Sequence, residues 1–184
     1  MPKRGILLLL TAVLLIIASP ALAEHIRPRI DTKELEIRIH ELINIERQKA
    51  GLRPLALDKK LCAIARDHSK DMAERNYFSH LNPEGEDFLV RYKKKGFVCR
   101  VRVGQSICEG AENIFCNNLY SSIMYVNEKA HYDWNSLEEI ARSTVKGWMK
   151  STGHRENILQ PVFRSQGIGV IIKDGKVYIT ENFC

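Results

Sequence analysis

The sequence predicts an α+β domain. Three observations carry this: segments of helical periodicity come first, a single Asp-Gly hairpin comes last, and no βαβ alternation joins them.

The first residues stand apart from that pattern. Met1-Pro2-Lys3-Arg4 is a short basic region, Gly5 to Ala18 is almost wholly apolar, and Ala21-Leu22-Ala23 is a small-x-small cleavage signal. This reads as a secretory signal peptide over residues 1–23, cut after Ala23, which directs the protein to the outside of the cell or its surface. The alternative is a retained anchor, since Gly5 to Ala23 is just long enough to cross a thin bilayer. The chain from Glu24 to Cys184 has 161 residues, enough for one domain with one sizeable core. Residues 24–34 read as a leader and 35–184 as the domain.

Without Lys3 and Arg4 there are 26 basic and 22 acidic residues, net +4. That excess is too small to imply nucleic acid as a partner. Much of it is local, in Arg91, Lys93, Lys94, Lys95, Arg100 and Arg102. Such a cluster is either a solvated helix face or a contact for anionic envelope polymers and lipid headgroups.

The elements follow in order. Asp31 caps a first helix with Glu34 in the capping-box position; Leu35, Ile39, Leu42 and Ile43 make its buried stripe, and Gly51 ends it. Asp58 caps a second helix, on which Leu61, Ile64, Ala65, His68 and Met72 share a face. His68 on that stripe reads as a packed, hydrogen-bonded core histidine. A turn around Pro83 and Gly85 leads to a short helix from Phe88 to Lys95, capped by Asp87 and stopped at Gly96. Asn117 to Asn135 shows no clear period and reads as a long surface loop of the kind that carries ligand contacts. Ser136 and Glu139 form a capping box for a helix from Leu137 to Ser151. That helix is read to stop at Gly153, with His154 just past the stop, and a second short helical turn ends before Pro161. Gly167 to Ile172 and Lys176 to Phe183 are two strands joined by an Asp174-Gly175 turn.

Five cysteines, at 62, 99, 108, 116 and 184, suit an oxidising compartment. Cys99 and Cys108 flank a short loop and read as the best-placed pair, with Cys62, Cys116 and Cys184 competing for a second bridge. No Cys-x-x-Cys pair is present, so a structural zinc cluster is not expected.

Several of these segments come in a familiar order. Leu61 to His80 (with His68-Ser69-Lys70-Asp71-Met72-Ala73 inside), Ala111-Glu112-Asn113-Ile114, Gly147 to Leu159, Gly167-Ile168-Gly169-Val170 and the closing strand resemble the CAP superfamily of cysteine-rich secretory proteins, antigen 5 and pathogenesis-related proteins. The likeness is strongest to its prokaryotic secreted branch, the SCP domain, and covers about Leu35 to Phe183. It implies a three-layer α-β-α sandwich with a central, mostly antiparallel sheet, and so further strands around Phe97 to Phe115. It also implies a cleft with two His and two Glu. By motif these map to His80 in Phe78-Ser79-His80, Glu112 in Glu112-Asn113 and His154 in Gly153-His154; the second Glu is replaced by Ser151. Ala111 stands where the family usually has Gly.

The cleft residues are therefore expected to be His80, Glu112, Ser151 and His154. His80 and His154 are the candidate metal ligands, for Zn2+ or another divalent cation, with Glu112 as a third ligand or as the general base of an enzyme. Equally, two His and a Glu can hydrogen-bond across a cleft and fix its shape. Nucleophilic catalysis finds no support: there is no Gly-x-Ser-x-Gly elbow and no His-Glu-x-x-His. Three readings stand side by side. One is a secreted, monomeric, non-enzymatic module for an extracellular lipid, glycan or protein. The others are a metal-dependent hydrolase or peptidase and a purely structural surface domain. The residues that discriminate them are His80 and His154.

Overall fold

The computed structural model describes residues 27–184. The signal-peptide reading and the Ala23 cleavage point lie outside the described residues. Among the described residues five helices and eight strands follow one another: α1 Thr32–Lys49, β1 Ala56–Leu57, α2 Lys59–Arg75, α3 Phe88–Lys94, β2 Val101–Val103, β3 Ser106–Cys108, β4 Ala111–Asn118, β5 Tyr120–Val126, β6 Lys129–Trp134, α4 Leu137–Lys150, α5 Thr152–Ile158, β7 Ser165–Lys173 and β8 Lys176–Phe183.

The caps read from the sequence are in place. Asp31, Asp58 and Asp87 each accept backbone N–H bonds at the start of their helices, and Ser136 and Glu139 close a full capping box. Asp174 and Gly175 both hold positive φ, as a two-residue turn between twisted strands requires.

The main sheet has the order β1-β7-β8-β4, with β1 parallel to β7 and the other pairs antiparallel. Alternation along the strands sorts side chains onto two faces. Ile168, Val170, Val177, Ile179 and Phe183 join the core with α1 and α4, around Leu35, Ile39, Ile43, Ile140 and Trp148. Tyr178 packs on the other face with Met72 and Ala73 of α2. This is a three-layer α-β-α arrangement with a mostly antiparallel centre.

Two parts of the chain fold differently from expectation. Residues 117–135 are not a loop: β5 and β6 form an antiparallel ribbon separate from the main sheet. And α4 does not run to Gly153. Ser151 is extended (ψ 124°), ends α4 and starts α5, so that Gly153 and His154 lie inside the first turn of α5.

The disulfide pairing is also corrected. Cys99 is bonded to Cys184, while Cys62, Cys108 and Cys116 are free. Cys108 sits in β3, opposite Val101 of β2. Its short loop to Cys99 is thus already closed by backbone pairing, and the bridge instead ties the last residue of the chain to the segment after α3.

Candidate functional site

β4 is an edge strand, and the site is built around its start. Glu112 and Asn113 are neighbours, so their side chains point to opposite faces of the sheet. Glu112 turns to the α2 side and Asn113 to the α4–α5 side. The outward carbonyls of this edge are covered by side chains: Trp148 Nε1 donates to Ile114 O at 3.0 Å and Asn157 Nδ2 to Glu112 O at 3.4 Å. An edge covered in this way cannot recruit another strand.

Glu112 is the centre of the α2-side group, with a side chain only 1% exposed. Its Oε1 accepts from His80 Nδ1 at 3.0 Å and its Oε2 from Arg91 Nη2 at 2.6 Å. Because a carboxylate only accepts, Nδ1 of His80 is the donor in this bond and Nε2 is not engaged by it. Arg91 also donates from Nη1 to the carbonyls of His80, at 3.1 Å, and Glu86, at 2.8 Å. One guanidinium thus fixes both the acid and the backbone of the histidine that bonds it. Buried His68 holds the same loop from below, with Nε2 3.0 Å from Ser79 O. His68 Nε2 lies 3.9 Å from Glu112 Oε1, yet burial, the larger influence, drives the His68 pKa below its ordinary value despite that carboxylate. At neutral pH the contact is therefore not an ion pair.

His154 approaches from α5. Its ring centre is 6.4 Å from that of His80, with the two ring planes inclined at 48°, so the two imidazoles lie close together at the sheet edge. Burial, and then the nearby His80, hold the His154 pKa below the usual value. Asn113 Nδ2 donates to His154 O at 3.2 Å and to Glu181 Oε2 at 3.2 Å, while Asn157 Nδ2 donates to Asn113 Oδ1 at 2.9 Å. Glu181 is fully buried, and burial raises its pKa well above the carboxylate range, more than its bond from Asn113 and the charge of Arg47 lower it.

The expected site residues are thus brought together in part. His80, Glu112 and His154 converge. Ser151 occupies the α4–α5 junction and its hydroxyl makes no capping bond. Arg91, read in the sequence as part of a basic surface cluster, points inward to Glu112. In the same cluster Lys94 pairs with Glu86, and Lys95 with Asp67 at 2.6 Å. Asn113, Asn157 and the Arg91 clamp were not singled out from sequence. The one signal for Arg91 was chemical: a buried carboxylate needs a buried cation.

Among the described residues, no three His, Cys, Asp or Glu side chains are grouped so as to hold a metal ion. Glu112 is turned to Arg91 and His80, which leaves two imidazoles. That donor set fits a weak, open divalent site, not the three-ligand set of catalytic zinc. Were a cation held by the two imidazoles, Glu112 would be the carboxylate that orients His80.

Comparison with known proteins identifies the family and the fold. The family model described as the cysteine-rich secretory protein family, CAP, matches residues 40–183. The uncharacterized protein YkwD of Bacillus subtilis is 33% identical over 148 residues, 80% of this chain and 46% of that protein. The uncharacterized membrane protein YlbC of the same organism is 32% identical over 148 residues, again 80% of this chain but 34% of that protein. The structure of an extracellular SCP-domain protein from Bacillus anthracis superposes with a TM-score of 0.59 at 27% identity, covering 83% of this chain and 40% of that one. The chain spans less than half the length of each of these relatives. With its sandwich, its His80–His154 pair near the edge of β4 and its match to the family model, the chain belongs to the CAP family of cysteine-rich secretory proteins.

Proposed function

We propose that this CAP domain is an extracellular ligand-binding module rather than a hydrolase, with the His80–His154 cleft as its recognition site for a lipid, glycan or protein. One observation carries the reading. Glu112 has its charge met by Arg91 and its side chain sealed from solvent, whereas His80 is about half exposed, at 49%. A general base must reach the water or substrate proton it takes. Glu112 reaches neither, and serves to orient His80. Export past a cleaved signal peptide is part of the same proposal. It is supported by the apolar start of the chain and by the extracellular B. anthracis relative.

A second reading, a metal-dependent hydrolase, has one observation in its favour. The lowered pKa of His154 keeps that imidazole neutral at pH 7, the state a metal ligand or a base requires. His80 Nε2 and the His154 ring would be the ligands, and a divalent cation held there would polarise a bound carbonyl or water.

Calorimetric titration of zinc into the chain from Glu24 to Cys184, beside its His80→Ala/His154→Ala variant, separates the two. The binding reading expects binding no tighter than tens of micromolar and no turnover of peptide or ester substrates. Binding at or below about a micromolar, lost in the variant together with turnover, would establish the hydrolase instead.

A further inference from the structure

The β5–β6 ribbon differs from the rest of the surface. Its register sets Tyr120 opposite Trp134, Ile123 opposite Tyr132 and Tyr125 opposite Ala130. Opposed residues share a face, as do residues two apart on one strand, so these six make one face without a charge on it. The base of that face is packed. Tyr132 stacks on Trp134 at 4.9 Å, Tyr120 meets both edge-on, and Trp134 packs against the main core. Toward the Asn127-Glu128 turn it is bare. Ile123, Met124, Tyr125 and Val126 are consecutive and all exposed, Tyr125 to 71%.

An antiparallel ribbon with one face in water alternates polar and apolar side chains. Here β5 is apolar toward both faces, because Met124 and Val126 project opposite to Ile123 and Tyr125; on the Met124–Val126 face the partners across the ribbon are His131 and Lys129. A concentration of exposed apolar side chains of this kind marks a contact surface.

We propose that the β5–β6 ribbon docks on the surface of a lipid bilayer bearing anionic headgroups. Three observations choose that partner. Tyr and Trp carry an apolar ring with a polar handle, the chemistry that settles at a bilayer–water boundary, and Ile, Met and Val supply the part that enters it. Cations flank the ribbon: Arg27 lies 5.7 Å over the Trp134 ring, exposed Arg29 is two residues further on, and Lys129 lies beside the turn on the face of Met124 and Val126. Glu128 at the turn keeps the tip at headgroup depth, so the ribbon lies along the surface rather than piercing it. Finally, the chain reaches the ribbon at Arg27, four residues after Ala23, where the predicted signal segment ends, a span of at most about 14 Å. A membrane that holds that segment, or releases it, is within reach of the ribbon. This inference goes beyond the cleft and does not depend on it.

The test is vesicle flotation with the chain beginning at Glu24. The apolar run is omitted because it would bind lipid by itself. The domain does not need it, since every residue of the core clusters falls between Ile30 and Cys184. Vesicles of equal phosphatidylglycerol and phosphatidylcholine are compared with phosphatidylcholine alone. The wild type is expected to float with the anionic vesicles. Met124→Ser/Tyr125→Ser, at exposed positions, should lower the partition coefficient on the order of tenfold or more with an unchanged melting temperature. Arg27→Gln/Arg29→Gln should abolish the preference for phosphatidylglycerol. No flotation of the wild type, or equal flotation of the Met124→Ser/Tyr125→Ser variant, overturns the proposal. So does a wild-type dimer in solution that the same variant dissociates without any vesicle binding, which would assign the ribbon to self-association.

Discussion

At the scale of single residues, the site is an exercise in meeting a buried charge. Glu112 sits where the sheet edge meets the α2 layer, and Arg91 is the cation that makes its burial tolerable. Arg91→Ala leaves that carboxylate without a counter-ion and should cost about 3–5 kcal/mol in urea denaturation at pH 7. Adding Glu112→Gln to the same chain should return most of the loss; an equal loss in single and double variants would show that the pair is not the cause. His68 tests the same environment by pH. Its folded pKa is lowered by burial, so the unfolded chain takes up its proton first as the solution is acidified. The stability His68 contributes is full above the unfolded value near 6.5 and is lost as pH falls through it to the lower folded value. His154 shifts in the same direction and Glu181 in the opposite one, so the informative quantity is a difference. His68→Gln keeps a donor for Ser79 O and removes the titration. The stability gap between wild type and variant should narrow from about pH 7.5 to about pH 5. A constant gap would mean that His68 does not titrate on unfolding. Of these residues, His80, Glu112 and His154 were legible because each lies in a short motif. Arg91 was not, because its role depends on α3 folding back over the loop that carries His80, and no spacing in the sequence encodes that.

At the scale of elements, the closest approach is between α2 and β7. Gly167 and Gly169 have no side chain where they face α2, and an added Cβ at Gly169 would stand 2.0 Å from Arg66 N and 2.3 Å from Ala65 C. Those neighbours are helix backbone, which cannot swing aside. Ser69 uses the proximity, its hydroxyl lying 2.9 Å from Gly169 O and 2.8 Å from Thr180 Oγ1. Gly169→Ala should therefore push α2 off the sheet and cost about 3 kcal/mol or more, at or beyond the upper end for an overpacked core. Because α2 carries His68, the same variant should loosen the His80 loop, visible as faster amide exchange at Ser79 to Asn82. Full stability in Gly169→Ala would contradict the close packing. The helices were readable from caps and apolar stripes, and the final hairpin from Asp174-Gly175. The ribbon was not, because Ile123 to Val126 of β5 are apolar in succession and show no alternation, which leaves the alternating Lys129 to Trp134 of β6 without a recognisable partner strand. β4 was hidden for the opposite reason: polar Glu112 and Asn113 lie buried in it, and their partners come from four other segments of the chain. Ser151 ends α4 without glycine, through an extended backbone. A glycine two residues on therefore drew the boundary too late.

At the scale of the whole molecule, the fold is closed at Cys184. Cys184 N donates to Ser165 O at 2.9 Å, and Cys184 O accepts from Arg164 N and Ser165 N at 2.7 and 2.8 Å. Its sulfur is bonded to Cys99, 85 residues earlier. The loop so formed contains α4, α5, the ribbon and three of the four strands of the main sheet. It also contains Glu112 and His154, while His80 and Arg91 lie outside it and reach the site through the α2–α3 segment. The bridge therefore holds together the two parts of the chain that build the cleft. Closing a loop of this length removes chain entropy worth about 4–5 kcal/mol in the unfolded state. Cys99→Ser/Cys184→Ser should lower stability to urea by up to that amount, and reduction of the wild type should do the same. The site should respond in step: the His80–Glu112 bond, followed by the Nδ1 proton resonance of His80, should weaken in the reduced chain before global unfolding. Cys108→Ser, by contrast, should leave both the urea midpoint and the migration of the non-reduced chain unchanged, since Cys108 is free. A loss of the intramolecular bridge in Cys108→Ser, with Cys184 left reactive to thiol reagents, would show instead that Cys99 pairs across the short loop. Cys184 would then be held by its backbone bonds alone.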